Sequence, residues 1–595
     1  MCGIFALLNH SESLFNGYNE IYKEFNKCKN RGPEFSILKK VVTKLYMGFH
    51  RLAINGINDK SNQPIIIKDA EGSDIITLIC NGEIYNYKEL YSLMNVIPET
   101  DSDCEVIAHL YLKYGIQQTL TMLDGVFSFV LLDTRVTDTK RTNGLGKLYV
   151  ARDPYGVRPL YQLKYKTSLD LPIRNNSNFL IGFASELKCL KNYYNTDTLH
   201  YSLNHFQPGT YSSYTIPHAN SIWMPFEENI SYFIPTFSYS YSYSFCNKDS
   251  IKNNSNELYS QISYFLEMAV NKRCLCTERP IACLLSGGLD SSLIAALVNK
   301  YYKDNHFDKK LETYSIGLAG SEDLKYAKIV AEYLGTNHTE IIVTEKEMFE
   351  IIPEVIQKIE SYDTTTVRAS IGNYLIGKYI SQNSQAKVIF NGDGSDELFG
   401  GYLYMNKCPD PIEFDKETRR LLKDIHLFDV LRSDKSISSN GLEPRTPFLD
   451  KSFVNCILSL PTSFRQHSFH NNMEKFILRN SFTKENFPVW VDDYKLTQLL
   501  PDEILWRRKE AFSDGVTNKG RSLFTIIQEQ ISETIPSPDG SDFPVNIESE
   551  KFYYSNLFSE MFPNCLHIVP YLWMPKYTDA TDPSARTLDI YTNAT

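Results

Sequence analysis

The sequence predicts two domains of different class: an α+β domain with antiparallel strands, then an α/β domain with a doubly wound parallel sheet. Three observations predict this. The chain has 595 residues, more than one hydrophobic core usually supports. Residues 2–210 read as short β-rich runs closed by turn signals. Within 257–595, strand runs alternate with helical periodicity, the mark of strand–helix–strand units. Residues 211–256 differ from both. Ser238-Tyr239-Ser240-Tyr241-Ser242-Tyr243-Ser244 is low-complexity and Asn253-Asn254-Ser255-Asn256 follows, so this stretch reads as a connecting segment.

In the first domain, residues 75–80 are β-rich and run into Asn81-Gly82, a turn dipeptide. Residues 127–132 and 147–151 read as strands joined across the polar stretch 133–146, a hairpin with a long loop. Val106, Ile107, Leu110 and Tyr111 give residues 103–114 a helical spacing. A two-sheet antiparallel core with a few helices follows. In the second domain, 257–272 is an amphipathic helix, 280–285 a buried strand and 291–301 a helix. Strands at 311–318, 338–343 and 387–391 and a helix at 325–334 continue the alternation. Beyond about 415 the text reads as helical. Such a sheet binds ligands at the carboxyl ends of its strands.

Composition narrows the function. Hydrophobic residues are 42% and charged residues 22%, a globular balance that excludes wholesale disorder and collagen-like or coiled-coil architecture. With 61 basic and 71 acidic residues, the net charge is −10; no long basic run offsets it, so nucleic acid is not an expected partner. The 12 cysteines are scattered without zinc-site spacing, and the nearest pair, Cys274 and Cys276, reads as core. Neither a signal peptide nor a membrane-length apolar run is legible. The expectation is a cytoplasmic protein with reduced thiols, no membrane partner, and room for a homodimer.

Cys2 follows the initiator methionine directly. Removal of Met1 would leave an N-terminal cysteine whose α-amino group can act as a built-in base for the thiol. Four downstream features fit a substrate to it. Arg51 offers a bidentate fork for a carboxylate. Asn81 and Gly82 offer an amide and an N–H, the parts of an oxyanion hole. Glu83 and Asp103 can accept from an ammonium group. Together they suit an α-amino acid with a side-chain amide, which is glutamine. Met1-Cys2-Gly3-Ile4, Asn81-Gly82-Glu83-Ile84-Tyr85-Asn86 and Asp101-Ser102-Asp103-Cys104-Glu105 resemble the class II glutamine amidotransferase domain. Arg31-Gly32-Pro33-Glu34 and the run from Ala151 to Leu160 resemble further motifs of that family. The resemblance implies an αββα sandwich of the N-terminal-nucleophile hydrolase type, releasing ammonia through a Cys2 thioester.

Leu285-Ser286-Gly287-Gly288-Leu289-Asp290-Ser291-Ser292 follows a buried strand and opens a helix. Its glycines let the backbone approach an anion, and its N–H groups and serines can hold phosphate. Asp290 is a candidate Mg2+ ligand. The run lacks the lysine of the Walker pattern and resembles the pyrophosphate loop of ATP pyrophosphatases, which implies adenylylation. A second acidic loop, Asn391-Gly392-Asp393-Gly394-Ser395-Asp396-Glu397, follows the strand at 387–391. The second half as a whole resembles the glutamine-hydrolysing asparagine synthetases. The matching runs are Tyr362 to Ser370, Phe428 to Asp434, Glu443 to Asp450 and Lys509 to Gly515. Trp573-Met574-Pro575-Lys576 and the run from Asp582 to Leu588 resemble the eukaryotic-type C-terminus.

That resemblance implies substrates L-aspartate, L-glutamine and ATP, with Mg2+, and passage of ammonia from one site to the other. It implies that Leu285, Ile316, Asn391 and Gly392 line an ATP site and that residues 286–292 hold pyrophosphate. Asp290 and Asp396 would bind Mg2+, Arg368 and Asp429 would surround aspartate and phosphates, and Lys509 would meet charge on the α-phosphate. The family usually reads serine–glycine–glutamate–glycine–serine–aspartate–glutamate in the second loop, with the glutamate as base. Asn391 and Asp393 depart from it. Asp393 loses one methylene, about 1.5 Å of reach. Two alternatives stay open at this point: a related amidotransferase that activates another carboxylate, and a glutaminase or binding protein with a decayed synthetase site.

Overall fold

The computed structural model describes residues 1–10, 17–135, 146–166, 179–217, 221–233, 255–305, 308–492, 495–518, 520–534 and 544–592. The chain forms two compact units. One comprises Met1–Pro235, Ser438–Leu442 and Phe558–Ile568; the other comprises Thr236–Ile437, Glu443–Leu557 and Val569–Thr595.

The first unit has twelve strands among its described residues: β1 (Gly3–Leu8), β2 (Phe35–Val42), β3 (Leu45–Arg51), β4 (Ile65–Lys68), β5 (Asp74–Ile84), β6 (Gly125–Asp133), β7 (Gly146–Arg152), β8 (Tyr161–Tyr165), β9 (Ile181–Ala184), β10 (Tyr201–His205), β11 (Thr210–Ile216) and β12 (Met224–Ser231). They build two six-stranded antiparallel sheets, ordered β10-β8-β9-β1-β3-β2 and β12-β11-β7-β6-β5-β4. Alternating residues of both sheets, among them Ile4, Ala6, Met47, Phe49, Val130 and Val150, bury one apolar core between the sheets. The other face of the second sheet packs on the helices Tyr87–Met94 and Glu105–Met122 through Leu78, Cys80, Leu90, Ile107 and Leu110. The helix Tyr18–Asn26 covers the first sheet, where Phe25 stacks on His50 with ring centroids 3.8 Å apart. Helices therefore flank both outer faces. The helix and strands expected near 103–114, 127–132 and 147–151 are all present; residues 136–145 of the expected hairpin loop lie outside the described residues.

Two expectations change here. Asn81-Gly82 is not a turn. Both residues lie inside β5, with Asn81 opposite Ser128 and Gly82 opposite Phe127. A Cβ on Gly82 would run into the Val126 carbonyl oxygen and the Phe127 backbone, so glycine here serves close strand approach, not reversal. The connecting segment also begins later than residue 211, because β11 and β12 complete the second sheet. The serine–tyrosine alternation at 238–244 lies outside the described residues.

The second unit carries a five-stranded parallel sheet of β13 (Ile281–Leu284), β14 (Glu312–Leu318), β15 (Asn337–Val343), β16 (Val388–Phe390) and β17 (Glu443–Arg445), ordered β15-β14-β13-β16-β17. The order reverses direction between β13 and β16. That topological switch point is where an open α/β sheet leaves a crevice beyond its strands' carboxyl ends. Both sequence-predicted loops start there. The helices Ser255–Leu275, Leu289–Asp304 and Glu322–Leu334 stand where periodicity placed them, and Cys274 and Cys276 are buried. β17 is an addition to the sequence reading. It has three residues, one of them Pro444, and an edge position tolerates the missing N–H. A small hairpin, β18 (Val489–Asp492) with β19 (Lys495–Thr497), is the other strand pair beyond residue 415.

Gly82→Ala is expected to destabilise the protein by about 1–3 kcal/mol through strand displacement. Urea unfolding of the full-length chain followed by circular dichroism checks this, and an unchanged midpoint would remove the close-approach role.

Candidate active sites

In the first unit, antiparallel pairing of Gly3 with His50 brings Cys2 to the end of β3. The Cys2 thiol is half-buried and donates to the Leu52 carbonyl at 3.6 Å. Its own carbonyl accepts the Arg31 Nε–H at 2.9 Å, and Arg31 is buried against Glu186. Asn81, inside β5, is fully buried, and neither its Oδ1 nor its Nδ2 has a hydrogen-bond partner. A buried amide with both ends unsatisfied costs stability. Glu83 accepts from Asn55 Nδ2 at 2.7 Å. Asp103 accepts the Ile84 N–H at 2.6 Å, which fixes the end of β5.

The Arg51 guanidinium, expected as a carboxylate fork, also reaches the 55–62 loop. Nη1 donates to the Asn58 carbonyl at 2.9 Å and to Asn62 Oδ1 at 2.7 Å, and Nη2 donates to the carbonyls of Asn55 and Gly56. Four acceptors on one loop make it a loop-building residue that holds Asn55 against Glu83.

In the second unit, one pocket lies at the switch point. Leu285, Ser286, Gly288, Asp290 and Ser291 come from the loop after β13, and Ile316 from β14. Asn391, Gly392, Asp393 and Asp396 come from the loop after β16, joined by Asp429 and Lys509. Three expected residues do not line it. Gly287, at φ +72°, packs against the Tyr326 and Ala327 backbone. Ser292 is fully buried in the first turn of its helix. Arg368 makes four donations to Glu550 and Asp582 at 2.6–2.8 Å. Two carboxylates thus take four of its five N–H donors.

Four charged side chains of the pocket form one cluster. Lys475 Nζ lies 2.5 Å from Asp290 Oδ2 and 2.6 Å from Asp396 Oδ1. Lys509 Nζ lies 2.6 Å from Asp396 Oδ2 and 3.8 Å from Asp290 Oδ2. Burial alone would lower the Lys509 pKa, but Asp396 and Asp290 outweigh it and hold the ammonium above its usual range. Burial alone would raise Asp396, but the two lysines outweigh it and hold the carboxylate well below its usual range. Ser395 Oγ donates to the second oxygen of Asp290 at 2.7 Å.

Lys475 escaped the sequence reading. It has left-handed backbone, φ +55°, rare for a residue with a side chain and often a mark of a functional position. Its Cε occupies space that a Cβ on Gly401 would fill. Neither feature is visible in a string of letters. Arg432 was missed too. Its Nη2 donates to Asp429 Oδ1 at 2.7 Å and to Asp393 Oδ1 at 3.1 Å. Glu397 is buried beside Tyr402, which donates to it at 2.5 Å. Burial, then the charge of Asp429, push the Glu397 carboxyl well up.

A thiol at the head of one sheet and a phosphate loop at the switch point of another define a class: a two-site enzyme coupling an amidotransferase unit to a nucleotide-using unit. The family described as Glutamine amidotransferase domain matches residues 1–221, and the family described as Asparagine synthase matches residues 261–411 and 406–581. The chain belongs to the asparagine synthase family, in its glutamine-hydrolysing form. It is 39% identical over 608 residues to the glutamine-hydrolyzing asparagine synthetase of Gallus gallus, with all of both chains covered. The protein of the same name from Homo sapiens is 37% identical over 618 residues, again with both chains covered throughout. That from Bos taurus is 37% identical over 615 residues, covering 99% of each.

Asp323, on the pocket wall, gives this unit a pH dependence. Burial pushes its carboxyl up to about 7 against the opposing pull of Arg507, whose Nη2 lies 3.3 Å away. The folded protein therefore holds a proton there that the unfolded chain has already lost above about pH 4. Stability should fall as pH rises from about 4 to about 7, because the native state binds more protons in that window. Asp323→Asn should flatten this slope. Denaturation midpoints across the window check it, and an unchanged slope in the variant would refute it.

Proposed function

We propose that the chain makes L-asparagine from L-aspartate, ATP and the amide nitrogen of L-glutamine, releasing AMP, pyrophosphate and L-glutamate. The observation that carries the reading is the cluster of Asp290, Asp396, Lys475 and Lys509 at the switch point, immediately beside the phosphate loop. In the second unit, the β-carboxylate of aspartate attacks the α-phosphorus and pyrophosphate leaves. Lys475 and Lys509 meet the charge that develops on the departing oxygens, and the 286–291 loop holds them with N–H and hydroxyl donors. Ammonia then attacks the β-aspartyl-AMP carbonyl, Asp393 takes its proton, and AMP departs. Mg2+ fits the donor set: Asp290 and Asp396 present hard carboxylate oxygens around one cation position, as Mg2+ requires when it shares its shell with phosphates. When bound, it supplies neutralisation of the phosphate charge.

In the first unit, we assign Cys2 as the nucleophile toward the glutamine amide. Met1 is present in the structure and its nitrogen donates to the Leu442 carbonyl at 3.4 Å; its removal would free the Cys2 α-amino group as base. The Asn81 amide and the Gly82 N–H would receive the oxyanion, and Glu83 and Asp103 would accept from the substrate ammonium. Helices outside two stacked antiparallel sheets suit the N-terminal-nucleophile hydrolase arrangement. The eleven described cysteines are free, which suits the reducing cytoplasm.

Cys2→Ala should abolish glutamine-dependent asparagine formation and keep formation from free ammonia. Paired assays with each nitrogen donor check this; retained glutamine use would sink the assignment of Cys2. Lys475→Ala and Asp290→Asn should each cut aspartate-dependent pyrophosphate release by about 100-fold or more, the usual size of losing one preorganised charge at a transition state. A normal rate in both would overturn the reading of the cluster.

A further inference from the structure

Two polar residues of the loop after β16, Asn391 and Asp393, touch in the structure. Asn391 uses both ends of its amide. Its Oδ1 accepts the Asp393 N–H at 3.3 Å, and its Nδ2 donates to Ser433 Oγ at 2.7 Å. Ser433 adjoins Arg432, whose Nη2 donates to the Asp393 carboxylate at 3.1 Å. The interactions close a ring: Asp393 backbone, Asn391 amide, Ser433, Arg432, Asp393 carboxylate. The helix Asp429–Ser438 that carries Arg432 and Ser433 is pinned by the fully buried ion pair of Lys435 with Glu360. One side of the ring is therefore fixed, and the loop is the side that adjusts.

A serine at 391 could not close this ring. It has one short oxygen, whereas asparagine presents an acceptor and a donor on opposite ends of a longer arm. The ring matters because an aspartate carries its carboxylate on a single methylene, so that the loop main chain largely decides where the carboxylate stands. Misplacement by about 1 Å is worth roughly 100-fold in rate.

We propose that Asn391 is a positioning residue paired with Asp393. Its amide ties the loop backbone to the Arg432–Ser433 helix, so that the Asp393 carboxylate stands where the reaction needs a proton acceptor. The proposal rests on reading this pocket as the asparagine-forming site.

Four full-length proteins test it: the unaltered chain, Asn391→Ser, Asp393→Glu and the double variant. Asparagine formation is measured with ammonia as donor, and kcat and the KM for ATP are taken separately. Each single variant should lose about ten-fold or more in kcat with the KM for ATP little changed. A direct ATP-binding role for Asn391 would raise that KM instead and would overturn the proposal. The double variant should exceed the product of the two single effects by roughly ten-fold, the coupling expected of residues sharing one hydrogen-bond network. Single effects that multiply independently would also overturn it. Hydrogen exchange of a peptide spanning residues 391–399 gives a readout that needs no activity. Asn391→Ser and Ser433→Ala should each speed exchange there, and unchanged exchange in both refutes the ring. An unaltered chain that forms no asparagine would count against the functional reading, while exchange would still decide the ring.

Discussion

The second unit depends on one electrostatic constraint. Asp290 and Asp396 arrive from two different strand ends and meet across the switch point, where two carboxylates in a partly buried site repel unless a cation lies between them. Lys475 is that cation, 2.5 Å from one and 2.6 Å from the other. Its position explains features that otherwise look unrelated. The left-handed backbone at Lys475 aims its side chain between the loops, and Gly401 leaves it the space. Lys509 adds a second cation on the far side of Asp396. Both charge signs therefore stand in place in the folded chain, each fixed by the other.

The first unit presents the opposite case: Asn81 lies buried with no hydrogen-bond partner at either end of its amide among the described residues. Such a group costs about 1–3 kcal/mol, and a strand interior would ordinarily replace it with an apolar residue. The neighbouring polar groups are used to fix geometry. Arg51 gathers the 55–62 loop, Asn55 on that loop holds Glu83, and Asp103 anchors the end of β5.

The residues that were legible in the sequence were those whose chemistry is local. The phosphate loop reads directly because its glycines, serines and helix start all fall within eight positions. The parallel sheet reads because each strand and helix has its own periodicity. Asn81-Gly82 misled because the same glycine that permits a reversal also permits close strand approach, and only the partner β6 decides between them. Arg368 misled because a cation's role depends on which carboxylates reach it, and Glu550 and Asp582 lie 182 and 214 positions away. Lys475 was illegible for the same reason in reverse: the residues that make it central, Asp290 and Asp396, belong to other motifs. β17 is too short for a period and includes a proline, so only the edge it occupies identifies it as a strand.

The distribution of cations also sorts the acids around the pocket by partner. Five carboxyl groups crowd the wall formed by the two loops and the helix Asp429–Ser438. Lys475 and Lys509 serve Asp290 and Asp396, and Arg432 serves Asp393 and Asp429. Among the described residues no cation is paired with Glu397; burial and the charge of Asp429 push its carboxyl up, and Tyr402 is its hydrogen-bond donor. Glu397 is thus the acid whose carboxyl is held up rather than down. Asp393 and Asp429 share one guanidinium, with the shorter contact, 2.7 Å against 3.1 Å, going to Asp429. Asp393 is the more loosely held of the two, so its place depends more on the hydrogen bonds of its own loop.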